Sequence, residues 1–253
     1  PAAERSPEAQ ATVDRLGALV GASVDLDAVS ALAASAPELT ARPWSAADEV
    51  GEPVLGSDGA DHPRIAVFGG SAFTFSYAEH AELLTAAGAE VVTIDPLTDE
   101  RLPAGTRGLV VGGGFPEVYA EQLSANETLR REVTALAADG RPVAAECAGL
   151  LYLARELDGL PMCGVVPATA RMTGRLTLGY REATGMGWPL AGRSVHGHEF
   201  HRTATDPAAG ETPAYCVDGT PEGFAQGRVS ASYLHLHWAG SPSLARELVK
   251  ACA

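Results

Sequence analysis

The feature that most constrains the fold is a regular alternation of short apolar runs with helical patterns between residues 64 and 145. Short apolar runs of this kind are typical of strands that are buried on both faces of a sheet. Strands are predicted at residues 64–68, 90–94, 108–111 and 142–145, and helices at 77–87 and 126–138. Strands that alternate with helices predict right-handed crossovers and a doubly wound α/β fold, whose mostly parallel sheet has helices on both faces.

The C-terminal part is predicted to make this sheet mixed. After Leu160 the pattern becomes strand-rich, with frequent Gly, Pro and Thr. The last strand is predicted at residues 229–235, followed by a helix from Ser241. We expect this part to be mixed or antiparallel and to fold onto the edge of the sheet.

The N-terminal part differs in composition. Residues 6–36 have helical apolar spacing with a break near Gly21, which predicts two helices. Residues 37–63 are rich in Pro, Ser, Gly and acidic residues, which is typical of a linker. We therefore expect residues 1–62 to be a helical segment with a linker, and residues 63–253 to be the main domain. Because the sequence begins at Pro1 without an initiator Met, we expect it to be part of a longer protein.

Charge and composition limit the classes of partner that this chain is expected to bind. The chain has 18 basic and 32 acidic residues, a formal net charge of −14, which disfavours nucleic acid. No segment reaches the roughly 18 to 20 consecutive apolar residues of a membrane span, and no leader is recognisable, so no membrane association and a cytoplasmic location are expected. The sequence has one lysine, Lys250, and lacks the GxxxxGK[ST] pattern of an ATP-binding P-loop.

Cys147 lies where an apolar strand passes directly into a helical pattern. Such a junction predicts a tight turn that exposes the sulfur above the carboxyl end of the sheet, and the small Ala148 and Gly149 suit this turn. The helix N-terminus is expected to lower the thiol pKa. The pattern indicates a nucleophile, with a small buried hydrophobe as the alternative. The remaining cysteines lack this setting and are expected to be structural: Cys163, Cys216 and Cys252.

The other groups that acyl transfer needs are present in the sequence. Gly112, Gly113 and Gly114 follow the strand expected beside that of Cys147, so their N–H groups are expected to stabilise an oxyanion. The candidates for a general base are His198, His201, His235 and His237.

Alternation on the predicted strand places His235 and His237 on one face, together with Tyr233. Such a pair is hard to explain as core packing. Zinc bound by the histidines is the alternative, but neither pair has the spacing of a recognised metal motif and no cysteine pair joins them. No bound metal is therefore expected.

With these segments placed, the sequence resembles the cobyrinic acid a,c-diamide synthases, including the hydrogenobyrinic acid enzymes. The resemblance runs from Ile65 to the C-terminus. It rests on these motifs: Ala72-Phe-Thr-Phe-Ser-Tyr77, Gly112-Gly-Gly-Phe-Pro-Glu117, Ala145-Glu-Cys-Ala-Gly-Leu-Leu-Tyr152, Arg171-Met-Thr173, Leu178-Gly-Tyr180, Gly197-His-Glu-Phe-His201 and Ser232-Tyr-Leu-His-Leu-His237.

The resemblance implies a class I glutaminase domain that releases ammonia from glutamine. By position, Cys147 matches the nucleophile and His235 the base, while the 112–114 loop and Ala148 match the oxyanion-hole region. It implies no cofactor in this chain, because ATP and Mg²⁺ belong to an N-terminal synthetase domain that activates the a and c carboxylates of a corrinoid substrate. The implied partners are glutamine, that synthetase domain, the corrinoid and a second copy in a homodimer.

Departures from the family pattern keep alternatives open. Ala148 replaces a common glycine, and Gly69 and Gly70 replace a usual Arg-Asp pair. His237 stands where most class I glutaminases have Glu, so the third catalytic group is unassigned, with Glu199 or an acid of the synthetase domain as options. The alternatives are an amidotransferase for another tetrapyrrole acid or cobyric acid, a scaffolding domain without turnover, and a metal-binding protein.

Overall fold

The computed structural model describes residues 7–54 and 62–253. Contacts divide the chain into two units, of which the first ends at Ser45 and the second runs from Ala46 to Ala253.

The first unit contains two helices, as the sequence predicts: α1 (Pro7–Ser23) and α2 (Leu26–Ala34). Residue 6, where the first helix is expected to begin, lies outside the described residues. Asp25 caps α2, because its carboxylate accepts a hydrogen bond from the Ala28 N–H at 2.9 Å. No residue of α2 is buried, and Leu32 is 73% exposed.

No single helix among the described residues is long and apolar enough to cross a membrane. The pair Gln10–Ser23 and Leu26–Ala34, bent by 81°, passes the same test of length and composition when taken together.

The second unit begins earlier than the boundary predicted at residue 63. It starts with α3 (Ala46–Val50). The Arg246 guanidinium donates hydrogen bonds to the carbonyls of Val50 (2.5 Å) and Glu52 (2.7 Å), and the Val54 N–H donates to the Ala87 carbonyl (3.1 Å). The polar composition predicts a linker here, but backbone carbonyls accept hydrogen bonds whatever the side chains are. The segment before residue 54 is therefore attached to the main unit.

The strands of the second unit form two sheets. In chain order they are β1 (Arg64–Phe68), β2 (Glu90–Ile94), β3 (Thr106–Val111), β4 (Val143–Glu146), β5 (Glu156–Leu157), β6 (Leu160–Pro161), β7 (Thr169–Gly185), β8 (Ser194–Asp206), β9 (Tyr215–Val217), β10 (Thr220–Glu222), β11 (Phe224–Gln226), β12 (Val229–Ser232) and β13 (His235–Leu236).

The first sheet has the strand order β11-β12-β4-β3-β1-β2. Its neighbouring strands are parallel except β11 and β12, which are antiparallel. The predicted mixed, mostly parallel sheet is confirmed. β1 and β2 have the predicted bounds, whereas β3 starts two residues earlier and β4 is shifted by one residue.

Helices cover both faces of this sheet. They are α4 (Ala78–Ala86), α5 (Ala120–Ala125), α6 (Glu127–Ala138), α7 (Ala148–Leu153) and α8 (Ser243–Cys252). Alternate residues of β1 enter different cores: Ala66 and Phe68 share a core with residues of α5, α6 and α7, and Ile65 shares one with residues of α4 and α8. The doubly wound α/β fold is thus confirmed.

The second sheet is mainly antiparallel, as predicted for the C-terminal part. Its largest element is the hairpin of β7 and β8. β13 pairs with β8 and places His235 opposite His198. Because β12 ends beside β4 in the first sheet, the two residues between β12 and β13 carry the chain from one sheet to the other.

Candidate active site

Cys147 occupies the sharp turn between β4 and α7. Its backbone has φ 51° and ψ −98°, and such a conformation costs a non-glycine residue about 1–3 kcal/mol. Hydrogen bonds hold the turn: the Cys147 N–H donates to the Ser232 carbonyl (2.7 Å), and the Gly149 N–H donates to the Gly112 carbonyl (3.1 Å). A Cβ on Gly149 would overlap the Val111 carbonyl, so only glycine allows α7 to lie this close to β3. The predicted strand-to-helix turn is confirmed.

The thiol of Cys147 is buried and protonated at neutral pH. Burial raises its pKa to about 12, assisted by the negative charges of Glu117 and Glu146 and opposed by hydrogen bonds from the Ala148 and Gly114 N–H groups. The prediction that the helix N-terminus lowers this pKa is therefore wrong for the resting site. The physical reason is that α7 has only six residues, and its N–H groups are outweighed by desolvation and two carboxylates.

The glycine loop after β3 presents one N–H group to the thiol. Gly113 is engaged elsewhere, because it exchanges backbone hydrogen bonds with Phe75 at 2.9 and 3.1 Å. The N–H groups of Gly114 and Ala148 are the backbone donors close enough to the Cys147 sulfur to lower its pKa. A Cβ on Gly114 would overlap a neighbouring carbonyl oxygen, which explains the glycine. The Gly113 N–H is therefore already engaged, whereas Gly114 and Ala148, which were predicted with it, lie beside the thiol.

His235 is buried against this loop. A Cβ on Gly113 would collide with its imidazole ring. The ring centroid lies 5.2 Å from that of Phe75 and 4.7 Å from that of His198, with the two imidazole planes 8° apart. Burial, and then the neighbouring His198 and His201, lower the pKa of His235 to about 3. His235 is therefore neutral at neutral pH, which is the form that accepts a proton.

The strand predicted to carry His235 and His237 is interrupted before both residues, and His237 is the more exposed of the two. The strand ends at Ser232, because Glu222 accepts hydrogen bonds from the Ser232 hydroxyl (2.5 Å) and from the next N–H (2.8 Å). The following residues turn into the second sheet. His237 is 45% exposed, and its Nε2 lies 3.6 Å from Glu79 Oε2.

Glu199 makes its contacts away from His235. Its Oε2 lies 2.6 Å from Arg181 Nε, and its Oε1 lies 3.6 Å from His201 Nε2. Alternation along β8 puts Glu199 and His201 on one face and His198, the partner of His235, on the other. Glu199 thus contacts Arg181 and His201, and its contact with His235, one of two options for the third catalytic group, is not formed. Among the described residues, no three His, Cys, Asp or Glu side chains are placed to hold a metal ion.

Glu146 is a site residue that the sequence analysis does not identify. Its Oε1 accepts a hydrogen bond from Trp238 Nε1 (3.1 Å), and its Oε2 accepts one from the Leu236 N–H (3.4 Å). Burial raises its pKa to about 7, although both hydrogen bonds oppose this shift. Glu146 therefore ties the segment that carries His235 to the turn that carries Cys147. The sequence signal that could have identified Glu146 is a carboxylate at the end of an otherwise apolar strand.

A cavity of about 110 Å³ opens beside Cys147. Much of its wall is apolar and includes Leu151 and Phe200. Its charged lining residues are Glu117 and Arg202, neither of which the sequence analysis assigns to the site. Glu117 ends the Gly-Gly-Gly-Phe-Pro-Glu motif, but spacing alone does not show that it lies beside the thiol.

Comparison with known proteins identifies relatives. Residues 64–243 match the family model of the CobB/CobQ-like glutamine amidotransferase domain. The chain is 51% identical over 282 residues to hydrogenobyrinate a,c-diamide synthase of Streptomyces coelicolor, covering 100% of this chain and 58% of that protein. It is 48% identical over 267 residues to the protein of the same name from Thermobifida fusca, covering 99% and 56%. The chain thus spans a little more than half the length of these relatives.

A solved structure supports the architecture. A crystal structure described as a glutamine amidotransferase covers 74% of this chain and 98% of its own, with a TM-score of 0.56 and 23% identity. At this identity the likeness shows the fold alone.

Proposed function

Because this chain belongs to the CobB/CobQ-like glutamine amidotransferase family, we propose that Cys147 is the nucleophile with which it releases ammonia from glutamine. The observation that carries this assignment is the φ of 51° at Cys147, directly after β4. A strained turn at the carboxyl end of a parallel strand is how α/β enzymes present a nucleophile to a substrate. The N–H groups of Gly114 and Ala148 beside the sulfur supply the donors that an oxyanion needs.

The reaction then follows from the groups in the site. His235 accepts the thiol proton, and the thiolate attacks the carboxamide carbon of glutamine. The carbonyl oxygen becomes an oxyanion held by the Gly114 and Ala148 N–H groups. When this intermediate collapses, His235 returns the proton and ammonia leaves, so that a thioester of Cys147 remains. Water hydrolyses the thioester, and glutamate is released with the thiol restored.

We take His235 as the base from its place in the Ser-Tyr-Leu-His motif, and His201, which lines the cavity with Cys147, is the alternative. His235 is buried over the glycine loop, which supplies the oxyanion donor. His198 stacks on it and fixes the plane of its ring. His237 is directed towards Glu79, and His201 towards Glu199. Phe75 and His198 pack against the imidazole of His235 from two sides.

We further propose that the ammonia serves a synthetase half in the remainder of a longer protein. Two features support this: the chain spans just over half of its relatives, and large apolar side chains are exposed near the cavity mouth. Phe200 is 49% exposed and Leu178 63% exposed. Exposed apolar patches of this kind mark surfaces that another domain covers.

ATP and Mg²⁺ would bind outside this chain. Its single lysine, Lys250, lies in α8, and the sequence has no P-loop pattern. The residues present therefore do not fit a nucleotide-binding site of that type. We assign both cofactors to the synthetase half.

The names of the relatives support hydrogenobyrinate as the acceptor, with amidation at its a and c carboxylates. The metal-free corrinoid is thus favoured over a cobalt-containing one. The homodimer and the cytoplasmic location stay predictions.

The test of the proposed function is release of ammonia and glutamate from glutamine, measured with the chain joined to its synthetase half. Cys147→Ser should abolish both products. Cys216→Ser is the matched control, because Cys216 lies in β9 and does not line the cavity. Glutamine hydrolysis that survives in Cys147→Ser would rule out a thioester mechanism at this residue.

A further inference from the structure

One carboxylate in the cavity beside Cys147 has no cationic partner among the described residues. Glu117 lies in a 3-10 turn (Pro116–Tyr119) that follows the glycine loop, and it is half-buried in the same cavity as the thiol. It makes no ion pair with any residue in the described part of the chain. Burial, and then the negative charge of Asp158, raise its pKa. A partly desolvated carboxylate is stabilised by a cation, and here a ligand has to supply it.

The rest of the lining fits a small zwitterion. Arg202 brings one guanidinium to the cavity, and Phe115, Leu151 and Phe200 contribute apolar wall. A free amino acid carries one ammonium and one carboxylate, which complement one carboxylate and one guanidinium. The cavity is small, about 110 Å³, which favours a ligand no larger than an amino acid.

Glu117 also acts on the thiol. After burial, its negative charge is the largest cause of the raised pKa of Cys147. The thiolate is disfavoured for as long as this carboxylate has no cation beside it. An ammonium group bound to Glu117 offsets the charge, so the thiolate forms more readily when the ligand is in place.

We propose that Glu117 binds the α-ammonium group of glutamine and that this contact couples substrate binding to activation of Cys147. The proposal rests on the glutaminase function proposed above and adds the group that distinguishes a free amino acid from a simple amide. The empty site then keeps its thiol protonated, which protects it from oxidation and from amides that lack an ammonium group.

The test measures how fast two reagents label Cys147, by intact-protein mass. One is a diazo-ketone analogue of glutamine, which keeps the ammonium and carboxylate. Its diazo carbon is protonated, and the thiolate then displaces N₂. The other is iodoacetamide, which has neither charged group. Glu117→Gln should slow labelling by the analogue about tenfold or more, the value of a hydrogen bond to a charged group, and should speed labelling by iodoacetamide at pH 8.

Glu121→Gln is the matched control, because Glu121 is an exposed carboxylate in the neighbouring α5. Both labelling rates should stay at the wild-type value in this variant. A second measurement uses the wild-type protein alone: a diazo-ketone analogue without the amino group should label it about tenfold more slowly than the full analogue. In Glu117→Gln the two analogues should react equally fast.

Equal rates for the two analogues in the wild-type protein would overturn the role of Glu117, as would unchanged discrimination between them in Glu117→Gln. Failure of the proposed glutaminase function would give a different pattern of labelling rates from failure of the Glu117 role alone. If the wild-type thiol reacted with iodoacetamide but with neither diazo-ketone analogue, glutamine would not be the ligand, and this inference would fall with it.

Discussion

The buried carboxyl group of Glu146 should make the stability of this protein depend on pH. Burial raises its pKa from an ordinary value of 4.5 to about 7. An acid whose pKa is raised on folding contributes stability that is fully present below the unfolded pKa and is lost as the pH rises through the folded pKa. For these two values, raising the pH from 5.5 to 8 should remove about 2 kcal/mol from the free energy of unfolding.

Glu146→Gln isolates this effect. Gln cannot ionise, yet its amide oxygen still accepts a hydrogen bond from Trp238 or Leu236. The free energy of unfolding would be measured by urea denaturation of the wild type and the variant at both pH values. The wild type should lose about 2 kcal/mol relative to the variant between pH 5.5 and 8. Other titrating groups, such as His80, change equally in both proteins and cancel in the comparison.

Glu121→Gln serves as the control, because the carboxylate of Glu121 is exposed. The difference in the free energy of unfolding between this variant and the wild type should not change with pH. The reasoning is refuted if the difference between wild type and Glu146→Gln stays constant within about 0.5 kcal/mol over this range, since independent effects add to that precision. Such a result would mean that Glu146 is ionised in the folded protein as readily as in the unfolded chain.

Three further predictions concern catalysis. Gly114→Ala should lower kcat for glutamine hydrolysis about 100-fold or more by displacing an oxyanion donor, whereas Gly174→Ala, which has open space around it, should leave kcat unchanged in the same assay. His235→Gln should lower kcat by about 10²- to 10⁴-fold. His237→Gln should lower kcat by about fivefold at most, because its side chain is 45% exposed and its ring contacts Glu79. Similar losses in both variants would contradict the separation of these histidines. Alkylation of Cys147 by iodoacetamide should accelerate about tenfold per pH unit from pH 7 to 10, as a thiol with a raised pKa requires, and a plateau near pH 8 would contradict that pKa.

The elements that depend on local pattern were predictable. β1, β2 and α6 were recovered to within a residue, because apolar periodicity reports which face of an element is buried. The turn at Cys147 followed from a strand meeting a helix with small residues around it. Motif spacing was also sufficient to place the glycine loop next to that turn, since neighbouring parallel strands end at one edge.

The errors have a common physical cause. The thiol pKa was expected to fall because a helix starts at Cys147, but desolvation and the charge of Glu117 are properties of the packed site. The last strand was expected to run without a break from residue 229 to residue 235, but the carboxylate of Glu222 interrupts it after Ser232. Each correction comes from a residue distant in sequence from the one it affects.

The doubly wound α/β fold, the turn at Cys147 and the family could all be predicted from the sequence, because they depend on periodicity and on short motifs. Tertiary structure decided which N–H group faces the sulfur, which histidine lies over the glycine loop, and that Glu146 and Glu117 belong to the site. These properties depend on which side chains and carbonyls meet across the two sheets. Burial then sets the charge of each group, and burial is a property of the folded chain rather than of any segment of it.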